Sequence, residues 1–570
     1  MPARKIVTPP AAIDFSAIRQ ELQIPAQYPS AAVAEAAAVA CAGDAVVDTA
    51  VPAAGDATDI PFVTVDPPGS MDLDQAVHLD RSGDGYLVRY AIADVASFVA
   101  PDGPLAQETW RRGATLYSPD INTPLHPVEL SEGAASLLPE TERPAVLWTI
   151  RLDATGEPVD VDVRRARVCS VAKLAYPQVQ ADADAGTLHP SIGLLPEIGL
   201  LRQQRGRDRH AISLDLPDSV IVRGSDGHWT LELRGITAVE QFNAEISLLT
   251  GMCAAKIMLD GGIGLLRTLP APTDDQVRAL RKATAALGIP WPPSVPPGDV
   301  IAGLNGARPR DAAFLEDALR LLRGAGYTPF DGAPPQRRGH SGVGADYAHV
   351  TAPLRRLADR FATEICLSLH AGVAVPRWVT DALGELPSAM GSADRRGSAL
   401  AKACAGAVAA FVLHGREGDE FAATVPADRT RAEPRDRGTA RAAGPRTLPA
   451  RWSGRRLGDP GQVAVRGSGH PPFRGGAGGL DRRLTTGWRL TAGSAAGRPE
   501  WHAAGMGDEI GQHTAFYYNI KTGSVEREGE SKAKDLLGPF ATSEEAANAL
   551  ETIRQREERK SAEDREWRDG

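Results

Sequence analysis

Four aspartates sit where this sequence could do chemistry. Asp66, Asp72 and Asp74 fall within nine residues, and Asp94 follows a second strand-like run. Carboxylates crowded in this way repel one another and raise one another's pKa unless a cation lies among them. Hard oxygen ligands carried on a turn are what Mg²⁺ or Mn²⁺ requires, and such ions commonly keep phosphate oxygens as further ligands. A lone D-x-D is as often a solvated acidic turn. The flanks decide against that reading, because Phe62-Val63-Thr64-Val65 and Tyr86–Val95 read as apolar strands and Pro67-Pro68-Gly69 as the turn that ends the first. Asp66, Asp72 and Asp74 are therefore the expected metal ligands.

The chain has 570 residues, enough for several domains and a large core. Its five cysteines (Cys41, Cys169, Cys253, Cys366, Cys404) are scattered with no C-x-x-C, which indicates neither a zinc ribbon nor a disulfide framework. The N-terminal stretch lacks the apolar core of a leader, and no apolar run reaches the length of a membrane span. A reducing cytoplasm with no membrane contact is the expected setting. A net charge of −9 argues against nonspecific coating of nucleic acid but leaves room for a local basic channel. Charge is uneven: residues 426–505 hold 15 Arg and no Lys against 6 acidic residues, while 506–570 hold 10 basic and 15 acidic.

The stretch beginning at Asp66 resembles the signature of the RNB domain of ribonuclease II/R-type exoribonucleases, D-P-x-x-x-x-D-x-D-D-A. Asp66, Asp72 and Asp74 fall on its first three acidic positions, and Gln75 stands at the fourth. A second stretch, Gly339-His340-Ser341-Gly342-Val343-Gly344-Ala345-Asp346-Tyr347-Ala348-His349-Val350-Thr351-Ala352-Pro353-Leu354-Arg355-Arg356-Leu357-Ala358-Asp359, is similar to the family's Y-x-H-x-T-S-P-I-R-R-Y-x-D. Ala352 and Leu357 replace a Ser and a Tyr there. Pro353 is expected to open a helix whose first backbone N–H groups, with Arg355 and Arg356, make a phosphate clamp.

The resemblance implies an α+β fold, with an RNB catalytic domain of mixed sheet and surrounding helices over 61–400. A short helical extension (1–60) precedes it: one helix after Asp14, with Phe15, Ile18 and Leu22 on one face, and an Ala-rich helix after Ser30. That length is too short for the pair of cold-shock-type barrels often found before such a domain. Further helices are expected around Gly103–Gly113, Leu201–Arg209, Val239–Leu259, Thr273–Leu287 and Asp311–Leu322, and a strand pair is expected around Thr155-Gly156. From Phe411 the run to Val425 reads as the first strand of an OB-type RNA-binding barrel (401–425). After it, residues 426–505 have no Ile, no Tyr, one Phe and two Val, an alphabet that cannot write a five-stranded barrel. Two readings stand for this segment: a disordered basic arm, or translation of a shifted frame. Residues 506–570 read as a small hairpin–helix module, weakly similar to SPOR-like proteins, with strands about a Lys521-Thr522-Gly523 turn and a helix capped near Thr542.

As to function, the resemblance implies a hydrolytic 3′→5′ exoribonuclease that releases nucleoside 5′-monophosphates from single-stranded RNA, has no DNA partner, and works as a monomer with Mg²⁺, Mn²⁺ being the alternative ion. Asp66, Asp72 and Asp74 would hold the metal, and Arg355 would neutralise the scissile phosphate. Tyr117 would stack on a base near the cleaved end, Tyr176 would lie close to that end, and Glu245 would bond a ribose hydroxyl. Arg356 and His349 complete the RNA contacts. Leu214 stands near a position where the family has a second stacking aromatic. Gln75 cannot carry charge or act as a base, so Gln75→Asp is expected to raise activity at limiting metal, unless Asp94 fills the gap. The rival reading is an RNA-binding protein that has kept the channel and lost catalysis.

Overall fold

The computed structural model describes residues 13–42 and 55–413, apart from 215, 217, 225, 226 and 307, together with six short strands between 420 and 540. It divides into two compact units, Met1–Gly511 and Gln512–Gly570.

The first unit is built on a closed barrel of five strands: Gly55–Asp66, Gln75–Ser82, Gly85–Ala93, Glu142–Leu152 and Pro158–Ala175. Neighbours run antiparallel except at the closure, where Gly55–Asp66 lies parallel to Pro158–Ala175, with Asp66 opposite Ala175. Register shifts on both sides of Phe62 bend the first strand into this closure. Alternate residues serve two cores. Val63, Val65, Val88, Tyr90, Ile92, Trp148 and Ile150 pack with the helices Ala238–Gly261 and Leu357–His370. Phe62, Ala76, Ala91, Ala93, Leu147 and Val168 pack instead with Leu73, Phe98, Leu105 and Leu130. Period-two alternation across one sheet is what permits both.

Most expected helices form close to their sequence signals. Asp14 caps Phe15–Glu21 by accepting from the Ser16 and Ala17 N–H groups, and Thr273 caps Asp274–Leu287 in a reciprocal box with Gln276. Helices Ser30–Ala42, Pro104–Arg112, Leu195–Asp208 and Ala238–Gly261 also fall where expected, while Pro309–Ala318 gives way to a tighter turn at Leu319–Leu322. Ala238–Gly261 is long and apolar enough to cross a membrane, contrary to the sequence expectation. Ile246, Leu249, Ala254, Ala255 and Met258 are buried in the barrel core, so its apolarity has a packing explanation.

Two expectations give way. Pro353 does not open a helix: Arg356 is extended (φ −133°, ψ 125°) and the helix begins at Leu357. The N–H groups of Arg355 and Arg356 turn back to the Ala352 carbonyl. Phe411–Leu413 is not a strand but the end of the helix Leu386–Leu413, since Leu400, Cys404 and Val408 bury one face at four-residue spacing. Glu420–Thr424 is a strand, and it pairs with Gln462–Gly467, which in turn pairs with Trp452–Arg456. Two strands thus lie in the segment whose composition excluded a five-stranded barrel.

In the second unit, Phe516–Asn519 pairs with Val525–Arg527 as the hairpin reading expects, and with a third strand, Leu536–Phe540. The helix expected after Thr542 lies outside the described residues.

Candidate active site

The acidic turn is held rigidly between two barrel strands. Gly69 has φ +86°, a conformation that suits glycine, and Ser70 N–H donates to the Pro67 carbonyl. Leu73 is fully buried and anchors the loop. Ser136 pins the loop from below: its hydroxyl donates to the Met71 carbonyl (2.6 Å) and accepts from Leu73 N–H (3.0 Å). Ala93 N–H donates to the Asp74 carbonyl.

The three acids then meet different surroundings. Asp66 ends its strand with Oδ2 buried and lacking a hydrogen-bond partner. Burial first, and then repulsion from Asp72, push its pKa up to about 7 against the pull of Arg355 and Lys173. Burial also raises Asp72, again opposed by Arg355 and Lys173. Asp74 is raised furthest, to about 8, by burial. Its oxygens are nevertheless committed, Oδ1 to Leu354 N–H (2.8 Å) and Oδ2 to Arg355 Nε (3.4 Å). The sequence thus brings Asp66, Asp72, Asp74 and Arg355 together as expected, but with a division of labour. Asp74 ties the second signature to the first, whereas Asp66 and Asp72 keep oxygens to offer.

Among the described residues no three His, Cys, Asp or Glu side chains stand as a ready-made ligand set. The donor chemistry still fits a hard cation. A desolvated carboxylate oxygen without a donor, beside a second carboxylate that it repels, is stabilised by a divalent ion more than by a proton.

Arg355 rises from a turn, not a helix end, so the expected backbone clamp is absent. Leu354 N–H goes to Asp74, Arg355 N–H to Ala352 and Leu357 N–H to the Gly113 carbonyl. The Arg355 guanidinium can meet a phosphate, its side chain being 28% exposed. His126, given no role by sequence, supports this turn: buried, its Nδ1 lies 3.2 Å from the Leu354 carbonyl, and burial lowers its pKa to about 4. A neutral ring donating from Nδ1 satisfies that geometry.

Two residues expected to contact RNA are engaged elsewhere. Arg356 grips Asp359 through Nε (3.1 Å) and Nη2 (3.0 Å), and Asp359 also accepts from Ala352 N–H (2.7 Å). Its work is to brace the Arg355 turn. His349 is buried, 2.7 Å from the Tyr327 hydroxyl and edge-on to Tyr327 and Tyr347.

Tyr117 and Tyr176 lie beside the acids and the arginine. Tyr117 is half-buried in a two-strand ribbon, Leu116–Tyr117 with Asn122–Thr123, close enough to Arg355 for their charges to interact. Tyr176 opens the helix Tyr176–Ala185 directly after the barrel strand. Its hydroxyl accepts from Asn243 Nδ2 (2.9 Å), and burial and then Asp66 raise its pKa. Glu245 lies within charge range of Arg202, Arg209 and Arg207, with burial raising its pKa against their attraction. Leu214 packs in a separate small core around Leu280, Phe314 and Leu315.

Gln75 and Asp94 settle differently from expectation. Gln75 spends its amide at both ends, donating to the Thr351 carbonyl (2.5 Å) and accepting from the Tyr90 hydroxyl (2.8 Å), which also meets Ser247 Oγ (2.8 Å). Asp94 cannot substitute for a missing acid, because it is buried against Arg165 (2.7 Å), which also pairs with Glu364. Sequence reading missed Asn243 and Ser247, four residues apart and so on one helix face, and Lys173, which sits opposite Thr64 at the end of the last barrel strand.

A five-stranded barrel with an acidic turn at one end, faced by an arginine-bearing turn, defines the class. The chain belongs to the RNB-domain family, whose model matches residues 55–367. It is 27% identical over 348 residues to Ribonuclease R of Escherichia coli (strain K12), covering 56% of this chain and 40% of that relative. The chain thus spans less than half the length of that protein. Among solved structures, RNase R of Mycoplasma genitalium in complex with ribose-methylated single-stranded RNA is similar with a TM-score of 0.63 at 20% identity, covering 72% of this chain and 66% of the other. Yeast Ssd1, a pseudonuclease, is similar with a TM-score of 0.55 at 15% identity, covering 69% and 52%. At such identities these two likenesses speak for the fold alone.

Proposed function

We propose that this protein hydrolyses single-stranded RNA from its 3′ end with a divalent metal ion, Mg²⁺ or Mn²⁺, releasing nucleoside 5′-monophosphates. The observation that carries the reading is the convergence of Asp66, Asp72 and Asp74 with Arg355 at one end of the barrel. Asp66 and Asp72 would hold the ion, which supplies charge to lower the pKa of an attacking water and to stabilise the oxygens of the scissile phosphate. Asp74 holds Arg355 in place, and the guanidinium then offsets charge developing on that phosphate. Lys173 adds a second positive charge near Asp66 and Asp72. Tyr117 and Tyr176 flank the group with faces that accept any base, as a sequence-indifferent enzyme needs. The unpaired state of all five cysteines suits a reducing cytoplasm.

A second reading is favoured by one observation. Gln75 is hydrogen-bonded at both ends of its amide where the family signature has an acid, so the chain could retain RNA binding with chemistry lost. The test uses a single-stranded oligoribonucleotide labelled at its 5′ end, incubated with the full chain and Mg²⁺. Stepwise shortening of the labelled strand, with mononucleotides recovered by chromatography, is the expected result. Tight binding with no shortening in either metal supports the second reading, and internal cuts refute the proposed polarity.

A further inference from the structure

The ribbon that carries Tyr117 is gripped at both ends by the N-terminal extension. At its turn, Arg19 donates from Nη1 to Ser118 Oγ (2.7 Å) and Asp120 Oδ1 (2.5 Å), and from Nη2 to Asp120 Oδ2 (2.8 Å). The Arg19 side chain is 10% exposed and that of Asp120 31%, so this two-pronged ion pair is partly shielded from water. Ser118 in turn closes the ribbon onto the Ile121 carbonyl (2.6 Å). At the ribbon's root, the Tyr28 hydroxyl donates to the Pro124 carbonyl. Arg112 also donates to Pro124 (3.1 Å) and to the Gln27 carbonyl (3.0 Å), with its guanidinium 3.7 Å above the Tyr28 ring. Phe15 and Ile24 of the extension share a core with Leu116, the residue before Tyr117.

The other side of the ribbon is fastened to the Arg355 turn. Thr115 N–H donates to the Arg355 carbonyl (2.9 Å), and Ala114 bridges to Arg356. A two-residue ribbon has little stability of its own, so the direction of the Tyr117 ring depends on what holds the two ends. One side of that frame is the catalytic turn, and the other is the extension.

We infer that the extension 13–42 is an affinity element of this protein, in which Arg19 is a positioning residue that sets Tyr117 against the terminal bases of single-stranded RNA. The inference rests on the stacking role given to Tyr117 above. It makes the extension part of the RNA grip.

The test is a double-mutant cycle on the full chain, read as the Kd of a fluorescent single-stranded oligoribonucleotide in EDTA, so that hydrolysis does not intervene. Tyr117→Ala alone should weaken binding by about tenfold, the scale of one lost base–aromatic stack. Arg19→Ala should weaken it by about fivefold in the parental chain and by less than about twofold in the Tyr117→Ala background, since a residue acting through another is non-additive with it. Asp120→Asn should reproduce the Arg19→Ala loss, and Arg19→Glu combined with Asp120→Arg should recover most of the parental Kd. The inference is overturned if Arg19→Ala and Asp120→Asn leave Kd unchanged while Tyr117→Ala weakens it, or if Arg19→Ala costs the same factor in both backgrounds. If Tyr117→Ala itself leaves Kd unchanged, the stacking role fails and the inference falls with it, a result the cycle reads separately.

Discussion

Asp66 and Asp74 show at the residue scale how one turn can supply both a ligand and a brace. Their raised pKa values, about 7 and about 8, carry a stability consequence. Unfolded aspartates titrate near about 3.9, so the folded protein binds these protons more tightly than the unfolded chain does. Without metal, stability should therefore fall as pH rises from about 4 through the folded values, and Mg²⁺, which needs the ionised carboxylates, should restore it at the upper end. Thermal melts in EDTA and in Mg²⁺ should coincide at low pH and separate above neutrality, by about 2.7 kcal/mol at a hundredfold excess over Kd. A gap that is constant with pH would contradict the ligand assignment. Gln75 gives the second residue-scale prediction, and it reverses the sequence expectation. An aspartate at that position loses the donor to Thr351 and sets an anion against a carbonyl, leaving a buried group unsatisfied at a cost of about 1–3 kcal/mol. Gln75→Asp should thus lower turnover about tenfold or more at saturating Mg²⁺. If it surpasses the parent at limiting metal in a titration, the amide is a damaged ligand after all.

At the scale of elements, the site depends on how closely the helix Ala238–Gly261 approaches the segment before Arg355. Ala348 N–H donates to the Gly251 carbonyl (3.1 Å), and a Cβ at Gly251 would strike the Tyr347 ring and the Ala348 carbonyl. Gly251→Ala should destabilise the fold by about 1–3 kcal/mol, as overpacking does. It should also depress turnover beyond that loss, because Thr351 to Arg355 shifts with Tyr347. Urea midpoints and kcat on the same sample check this, and a neutral variant would refute the close approach. The elements were largely legible, since caps at Asp14 and Thr273 and the apolar period of 238–261 are local signals. The acids and Arg355 were legible from their signatures. The division between Asp74 and Asp66 was not, because it turns on Leu354 N–H, a backbone group that leaves no trace in composition. That Arg356 pairs with Asp359 and that His349 meets the Tyr327 hydroxyl was hidden for the same reason, since type and spacing do not reveal which neighbours a side chain meets. The arginines near Glu245 were equally hidden, because nothing local shows that helix Leu195–Asp208 approaches it.

At the scale of the whole molecule, two compact units share one chain, and the candidate site lies entirely in the first. Ending the chain at Gly511 should leave RNA affinity, turnover and the main melting transition unchanged, and a loss in any of them would give 512–570 a role in the site. Composition was a weaker guide here than in the barrel: residues 426–505 hold two strands, Trp452–Arg456 and Gln462–Gly467, the second of which pairs with both the first and Glu420–Thr424. The central claim is that Asp66 and Asp72 hold the metal that does the chemistry, and the most direct measurement is Mg²⁺-dependent hydrolysis of single-stranded RNA by the parent and by Asp72→Asn, with RNA affinity measured alongside. The expected result is metal-dependent shortening by the parent and none by the variant, with affinities within about tenfold of each other because the ion serves chemistry more than binding. An Asp72→Asn chain that degrades RNA at the parental rate would contradict the account.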